Sequence, residues 1–385
     1  MLFQQVLGHQ KVIQHLIEAH QANRTAHAQI LVSKEGNGAL GLALAYAQYI
    51  LCDAPTATDA CGDCPSCKKN KKLVHPDVHF SYPTIGSKKI STDFIKEWRA
   101  AVLQNPYLGI NEWLEAIGAE NQQGNITKDE CVSIVNRLSL KSTEGGYKIM
   151  ILWLPEYLGN EGNRLLKLIE EPRPNTLFLL VSEQSGKILN TILSRCQLVN
   201  IPRLDDSLIA TQLIEELQIP AEKAKTIAYL AEGNYNKARQ LTEDMDDNNG
   251  AIFVDWLRAC YQGKPREMVR WVEAIVSGKH TEKDYYIKMG RKDQIVFLHY
   301  GLYFLKEFLS LKLGGGALAV RLQQQELKTA QNMLKVIGVA QMQSLIQLFD
   351  ETAFHVERNG NPRILLLDAS IQIHHILRKQ VIPIV

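Results

Sequence analysis

Strand-like apolar runs alternate with amphipathic stretches only as far as Ile201, and after Pro202 the strand signal stops. Ala28–Val32 reads as a buried strand, a glycine pair follows, and Leu40–Leu51 reads as an apolar helix. Lys148–Leu154 and Thr176–Val181 are two further runs, too short and too continuously apolar for surface helices. Between them Asn163–Glu171 places Leu165, Leu166 and Ile169 on one face. Pro172 ends that helix because it has no N–H to donate. Strands alternating with helices imply a parallel sheet covered on both faces, an α/β domain. Beyond it the pattern is helical: Ser207–Leu217, Ala221–Glu232, Ala251–Tyr261, Arg266–Val276, Gln294–Leu311, Leu318–Ile337, Gln341–Glu357 and Ile364–Arg378. Turn signals at Gly233-Asn234, Gly314–Gly316 and Asn359–Pro362 separate several of these. The expected division is 1–204 for the α/β domain, 205–248 for a small helical unit closed by an acidic run, and 249–385 for an all-helical bundle.

A chain of 385 residues has room for the two or three domains this division requires, at roughly 100–200 residues each. It carries 43 Lys+Arg against 41 Asp+Glu, and a net charge of +2 excludes a strongly basic nucleic-acid coat protein while leaving room for a local patch. No apolar run is long enough to span a bilayer, and the start, MLFQQVLGHQ, lacks a basic segment followed by an apolar one. The expectation is a cytoplasmic chain with no membrane contact. Seven cysteines are too sparse for a disulfide scaffold, and four of them fall within Cys52–Cys67.

Cys61, Cys64 and Cys67 form two overlapping C-x-x-C pairs, and Cys52 stands nine positions upstream of the first. A C-x-x-C turn brings two thiolates to one side of a tight loop, and tetrahedral Zn²⁺ takes four such donors at about 2.3 Å. Gly62, Pro65 and Ser66 suit those turns. Structural zinc over 52–67 is the expectation, with a redox dithiol or an iron–sulfur cluster as alternatives. A closed four-cysteine site leaves no position open for substrate. Cys131, Cys196 and Cys260 read as small buried hydrophobes. The run Lys68–Lys72 beside the cluster is either a solvated face or a phosphate contact. His374-His375 have no second ligand at metal spacing.

Ser33–Leu40 follows a strand and opens a helix, the place of a phosphate-binding loop. Aligning Gly38 with the second glycine of G-x-x-x-x-G-K-[ST] puts Ser33 at the first glycine, Ala39 at the lysine and Leu40 at the hydroxyl residue. Alanine cannot neutralise β/γ-phosphates, and leucine cannot ligate Mg²⁺. Where an ATPase of this layout carries an acidic pair after the next strand, this chain has Trp153 and Leu154, with Glu156 displaced beyond Pro155. Gly36 and Gly38 therefore mark a degenerate loop whose nucleotide binding is doubtful, and ATP hydrolysis is not expected.

In order along the chain, several motifs resemble the bacterial clamp loaders of the AAA+ class, in particular their delta-prime subunits. They are Val6–Gln10, Ala26–Ala28, the loop at Gly36 and Gly38, the four cysteines, His75-Pro76-Asp77, Leu165–Pro172 and Leu193–Cys196. The resemblance is strong over about residues 1–204 and weaker over the helical remainder, where Asn359–Arg363 and the helix after it look like a collar domain. It implies an AAA+ α/β domain with a zinc-binding insertion, a helical lid and an all-α collar. It also implies a stator that assembles with gamma/tau motor subunits and a delta subunit of DNA polymerase III, and with them places the sliding clamp on primer–template DNA. Arg195, with Ser194 and Cys196 beside it, corresponds to an arginine finger that reaches a neighbouring subunit's ATP. From the residues alone it reads as a surface arginine paired with a local carboxylate.

The stretch from about Thr84 to Ile126 is longer than the resemblance leads one to expect, and its Trp98 and Trp113 serve either packing or a partner surface. Asn236 stands where the family's second sensor carries arginine, and Ser182 stands at the first sensor position. Two other readings remain open at this level. One is an active clamp-loader ATPase using Lys34 and Glu156 as displaced substitutes; the other is a stand-alone zinc-dependent nucleic-acid-binding module.

Overall fold

A computed structural model describes residues 1–119, 122–244, 249–278, 289–313, 324–333 and 337–378. The expected turn at 314–316 lies outside the described residues, as do parts of the acidic run at 243–249 and of the helix expected at 318–337. The chain divides into two compact units: residues 1–208 with 232–237, and residues 209–231 with 238–385.

The first unit is built on five strands, β1 (Ala28–Val32), β2 (Val78–Ser81), β3 (Lys148–Trp153), β4 (Thr176–Ser182) and β5 (Gln197–Asn200). They pair in parallel in the order β2-β3-β4-β1-β5. Every residue of β3 and β4 is buried, which explains why they read as unbroken apolar runs. Alternate residues feed two cores. Leu31, Ile149, Ile151, Leu177 and Leu179 join one face, and Ile30, Met150, Leu152, Phe178 and Leu180 join the other. At the sheet edge, β5 leaves Leu198 53% exposed.

The first face is covered by α1 (Gln10–Gln21) and α2 (Ala39–Ile50), and α2 is buried over its whole length. After α2 come α3 (Pro65–Lys71), α4 (Ile95–Gln104), α5 (Ile110–Ala116) and α6 (Lys128–Ser139). The second face carries α6, a 3₁₀ segment at Pro155–Leu165, and α7 (Leu166–Glu170), and it also takes in Ile192 of α8 (Asn190–Leu193). The long stretch after β2 closes on itself through an antiparallel bridge between Thr84 and Asn125. Its tryptophans pack inward: Trp98 and Trp113 are both 0% exposed, and Trp98 stacks on Tyr82 at 4.1 Å and meets Trp153 at 5.2 Å. Packing, rather than a partner surface, is thus what these aromatics provide. A buried ionic knot pins the same stretch. Ser91 donates from N and Oγ to Glu130 at 2.8 and 2.6 Å, and Arg137 Nη2 donates to Glu130 Oε1 at 2.8 Å.

The remaining helices are α9 (Asp206–Leu217), α10 (Ala221–Ala231), α11 (Tyr235–Asp244), α12 (Asn249–Gln262), α13 (Pro265–Ser277), α14 (Arg291–Leu313), α15 (Gln324–Met333), α16 (Val339–Glu357) and α17 (Pro362–Leu377). Among the described residues the second unit contains no strand. Its centre is aromatic: Phe253 lies 5.9 Å from Phe297 and 5.6 Å from Phe349, and Trp256 Nε1 donates to Ser370 Oγ at 3.1 Å. No described helix is long and apolar enough to cross a membrane. His374 Nδ1 is 2.9 Å from the Cys260 carbonyl, a packing contact between α17 and α12.

Candidate functional site

Cys52 stands just past Leu51, the C-cap of α2, and Cys61, Cys64 and Cys67 sit on the turn and first residues of α3. Folding brings all four Sγ atoms within 4.8 Å of one another, with Cys61 and Cys67 sulfurs 3.9 Å apart. Four sulfurs at about 2.3 Å from one tetrahedral ion lie roughly 3.8 Å apart, so this set can close on a metal with little adjustment. Backbone N–H groups point at three of the sulfurs, from Cys61 to Cys52 at 3.2 Å, Cys64 to Cys61 at 3.4 Å and Cys67 to Cys64 at 3.4 Å. Such donors favour thiolates, the form a metal binds. The basic run beside the cluster is partly neutralised, Lys68 by Asp63 at 3.0 Å and Lys69 by Glu144. Cys131 and Cys260 are fully buried, and Cys196 is half-buried with its thiol pushed up to about 11 by burial.

The loop between β1 and α2 has the backbone of a phosphate cradle. Gly36 and Gly38 both adopt positive φ, 66° and 89°, and Gly38 caps α2. The space over it is taken by the chain's own side chains. A Cβ on Gly36 would stand 1.7 Å from Asn234 Oδ1, and one on Gly38 would stand 2.8 Å from the Tyr107 ring. Tyr235 N donates to the Gly36 carbonyl at 2.9 Å, and the rings of Tyr107 and Tyr235 meet edge to face at 5.0 Å. Asn37 turns away from the loop: its side chain donates to Pro202 O at 2.6 Å and accepts from Leu204 N at 3.1 Å. Against Gly36, Gly38 and Tyr107 a cavity of about 10 Å³ is left, the space of a single water, while beside it Ser33, Lys34, Asn37, Glu183, Asn200 and Arg203 border an open one of about 450 Å³.

The residues at the lost chemical positions are structural. Ala39 and Leu40 are 3% and 4% exposed, and Trp153 and Leu154 belong to the core beneath the loop. Glu156 spends Oε1 on the backbone after β4, accepting from Glu183 N at 3.0 Å and Gln184 N at 3.1 Å. Glu183 lines the same small space, and its carboxyl is pushed up to about 8 by burial and then by the negative fields of Glu35 and Glu156. Glu35 is raised too, by burial and then by Glu112. None of these acidic groups supplies the positive charge that a polyphosphate needs. Asn236 is 4% exposed and bonds Asn105 at 2.6 Å and Glu112 at 2.7 Å, so it too is a packing residue. Ser182 is fully buried at the end of β4, and its carbonyl accepts from Ser33 N at 3.0 Å.

Asn234, Tyr107 and Glu183 were not singled out by the sequence. The glycine–asparagine turn is visible there as a turn, but nothing local to it says that its side chain will seat against a loop near the other end of the unit.

Arg195 follows α8 and lies across from the end of α7. Its Nε donates to Glu170 Oε1 at 2.5 Å, with Nη2 paired to the same oxygen, and Nη1 donates to Thr191 O at 2.8 Å and Ser194 Oγ at 3.3 Å. The side chain is 32% exposed. Within this chain Arg195 is therefore an arginine paired with a local carboxylate, as the residues alone suggest.

A family model described as "DNA polymerase III, delta subunit" matches residues 8–205. A Pseudomonas aeruginosa protein named "DNA polymerase III subunit delta'" is 30% identical over 221 residues, 56% of this chain and 56% of that one. A Haemophilus influenzae protein of the same name is 34% identical over 175 residues, covering 46% and 42%. A Bacillus subtilis "DNA polymerase III subunit tau" is 21% identical over 385 residues, 96% of this chain and 61% of that one. The chain spans about half the length of the two delta-prime relatives it matches.

Proposed function

We propose, because the chain belongs to the DNA polymerase III delta-subunit family, that it is a clamp-loader subunit of the delta-prime kind which works without burning ATP itself. In this reading it assembles with gamma/tau motor subunits and a delta subunit to load the sliding clamp onto primer–template DNA. Residues 1–204 act as the AAA+ domain, 205–248 as the lid and 249–385 as the collar through which subunits join. The observation that carries the non-catalytic role is the missing cation, Ala39 standing in place of the phosphate lysine, with Asn234 occupying the space directly over Gly36. An ATPase using Lys34 and Glu156 finds little support, because Glu156 Oε1 is tied to two backbone N–H groups and its Oε2 is buried. A stand-alone nucleic-acid module on the basic run is disfavoured by the carboxylates that pair with Lys68 and Lys69.

Zinc is the ion we assign to the four cysteines. It would hold the loop after α2 shut and supply no chemistry, since all four positions are taken by protein sulfur. Arg195 is assigned the finger role. A guanidinium presented in trans stabilises charge on a transferring phosphoryl group, an effect worth about 10³–10⁵ in rate in GTPase systems. The test is reconstitution of the full chain with its motor and delta subunits. DNA-stimulated ATP hydrolysis should appear in the assembly and be absent from the isolated chain, and Arg195→Ala should depress it. Phosphate release by the pure chain alone would overturn the reading.

A further inference from the structure

Arg195 has no nitrogen left idle. Nε and Nη2 face the Glu170 carboxylate, and Nη1 is shared between the Thr191 carbonyl and the Ser194 hydroxyl. The two sides of this arrangement differ in kind. The Nη1 contacts are to uncharged groups on the residue's own helix and turn. The Nε–Nη2 edge, the one that matches a carboxylate or a phosphate equally well, is covered by an anion. A carboxylate there also neutralises the charge that a developing phosphoryl anion would need.

We propose that Glu170 is an internal competitor for the guanidinium, a latch that covers the phosphate-binding edge of Arg195 until a neighbouring subunit's nucleotide displaces it. The proposal rests on the finger reading of Arg195. The latch is weak by construction. The side chains of Arg195 and Glu170 are 32% and 45% exposed, and an ion pair so open to solvent biases an equilibrium by only about two- to five-fold. A phosphate can therefore take the fork without a large penalty, while Thr191 and Ser194 keep hold of Nη1 and preserve its aim. Glu170 ends α7 and Arg195 follows α8, so a movement between these two short helices changes how tightly the latch is held.

The experiment compares steady-state ATP hydrolysis by the reconstituted assembly of full-length chain, tau/gamma and delta subunits, without clamp or DNA. Wild type, Glu170→Gln, Arg195→Ala and the double variant are measured at saturating ATP. Glutamine keeps the size of the side chain and removes its charge, so Glu170→Gln should raise the rate about two- to five-fold. The double variant should match Arg195→Ala. A rate at or below wild type for Glu170→Gln, with Arg195→Ala still depressed, overturns the latch and leaves the finger standing. A gain that survives in the double variant shows an effect on assembly and also overturns it. If Arg195→Ala hydrolyses at the wild-type rate, the finger reading fails and the latch falls with it.

Discussion

Asn234 and Gly36 occupy each other's space: Asn234 Oδ1 stands 1.7 Å from where a Cβ on Gly36 would be. The same oxygen accepts from Lys237 N at 2.8 Å, so one side chain both caps α11 and closes the loop. The glycine is required twice over, by the close approach and by its φ of 66°.

Gly36→Ala should accordingly lower stability by about 1–3 kcal/mol, the usual cost of a residue held in a sparsely populated conformation, with the contact adding to it. Adding Asn234→Gly should recover the part due to the contact and leave the part due to φ. Urea midpoints of the three variants measure both. Asn234→Gly by itself should still release no phosphate from ATP, because Ala39, Trp153 and Leu154 remain.

Elemental analysis should find about one zinc per chain. Cys67→Ser should lose the metal and lower the melting temperature, whereas Cys131→Ser, changed in the opposite core, should keep it. Equal metal in both variants would contradict the cysteine assignment.

Glu130 is 1% exposed and holds Ser91 and Arg137. Glu130→Ala leaves the Arg137 guanidinium without its buried partner, a loss of about 3–5 kcal/mol. Denaturant unfolding should report that loss, together with faster proteolysis between residues 84 and 126. Cleavage and stability like those of wild type would show that the knot is not what pins this stretch.

The pH dependence follows from Glu183. A carboxyl raised to about 8 in the folded chain binds a proton that the unfolded chain, with its ordinary acid range near 4.5, has already released. Between those values the native state holds more protons, so stability falls as pH rises from about 5 to 8. Glu183→Gln should flatten that fall, read as melting temperature against pH. A variant whose profile overlays wild type removes Glu183 from the explanation.

Part of the site could be read without coordinates because its signals are local. The overlapping cysteine pairs and the apolar β3 and β4 runs declare themselves over a few residues. The loss of the phosphate lysine and of the acidic pair is a matter of identity at fixed spacing. The reading stopped at long-range partners. Glu156 could be proposed as a displaced catalytic acid because nothing nearby reveals that Glu183 and Gln184 will claim its oxygen. Trp98 and Trp113 were open to two uses until Tyr82 and Trp153 were seen against them.

What the amino-acid order decided alone is therefore the inventory: an α/β unit followed by helices, four thiols at metal spacing, and a glycine loop without a cation. Tertiary structure decided what those pieces face. Asn234 over Gly36, Trp153 against Trp98, and Glu170 against Arg195 are meetings of residues far apart in the chain. Such meetings depend on how whole helices seat on the sheet, and packing of that kind leaves no imprint on the spacing of neighbouring residues.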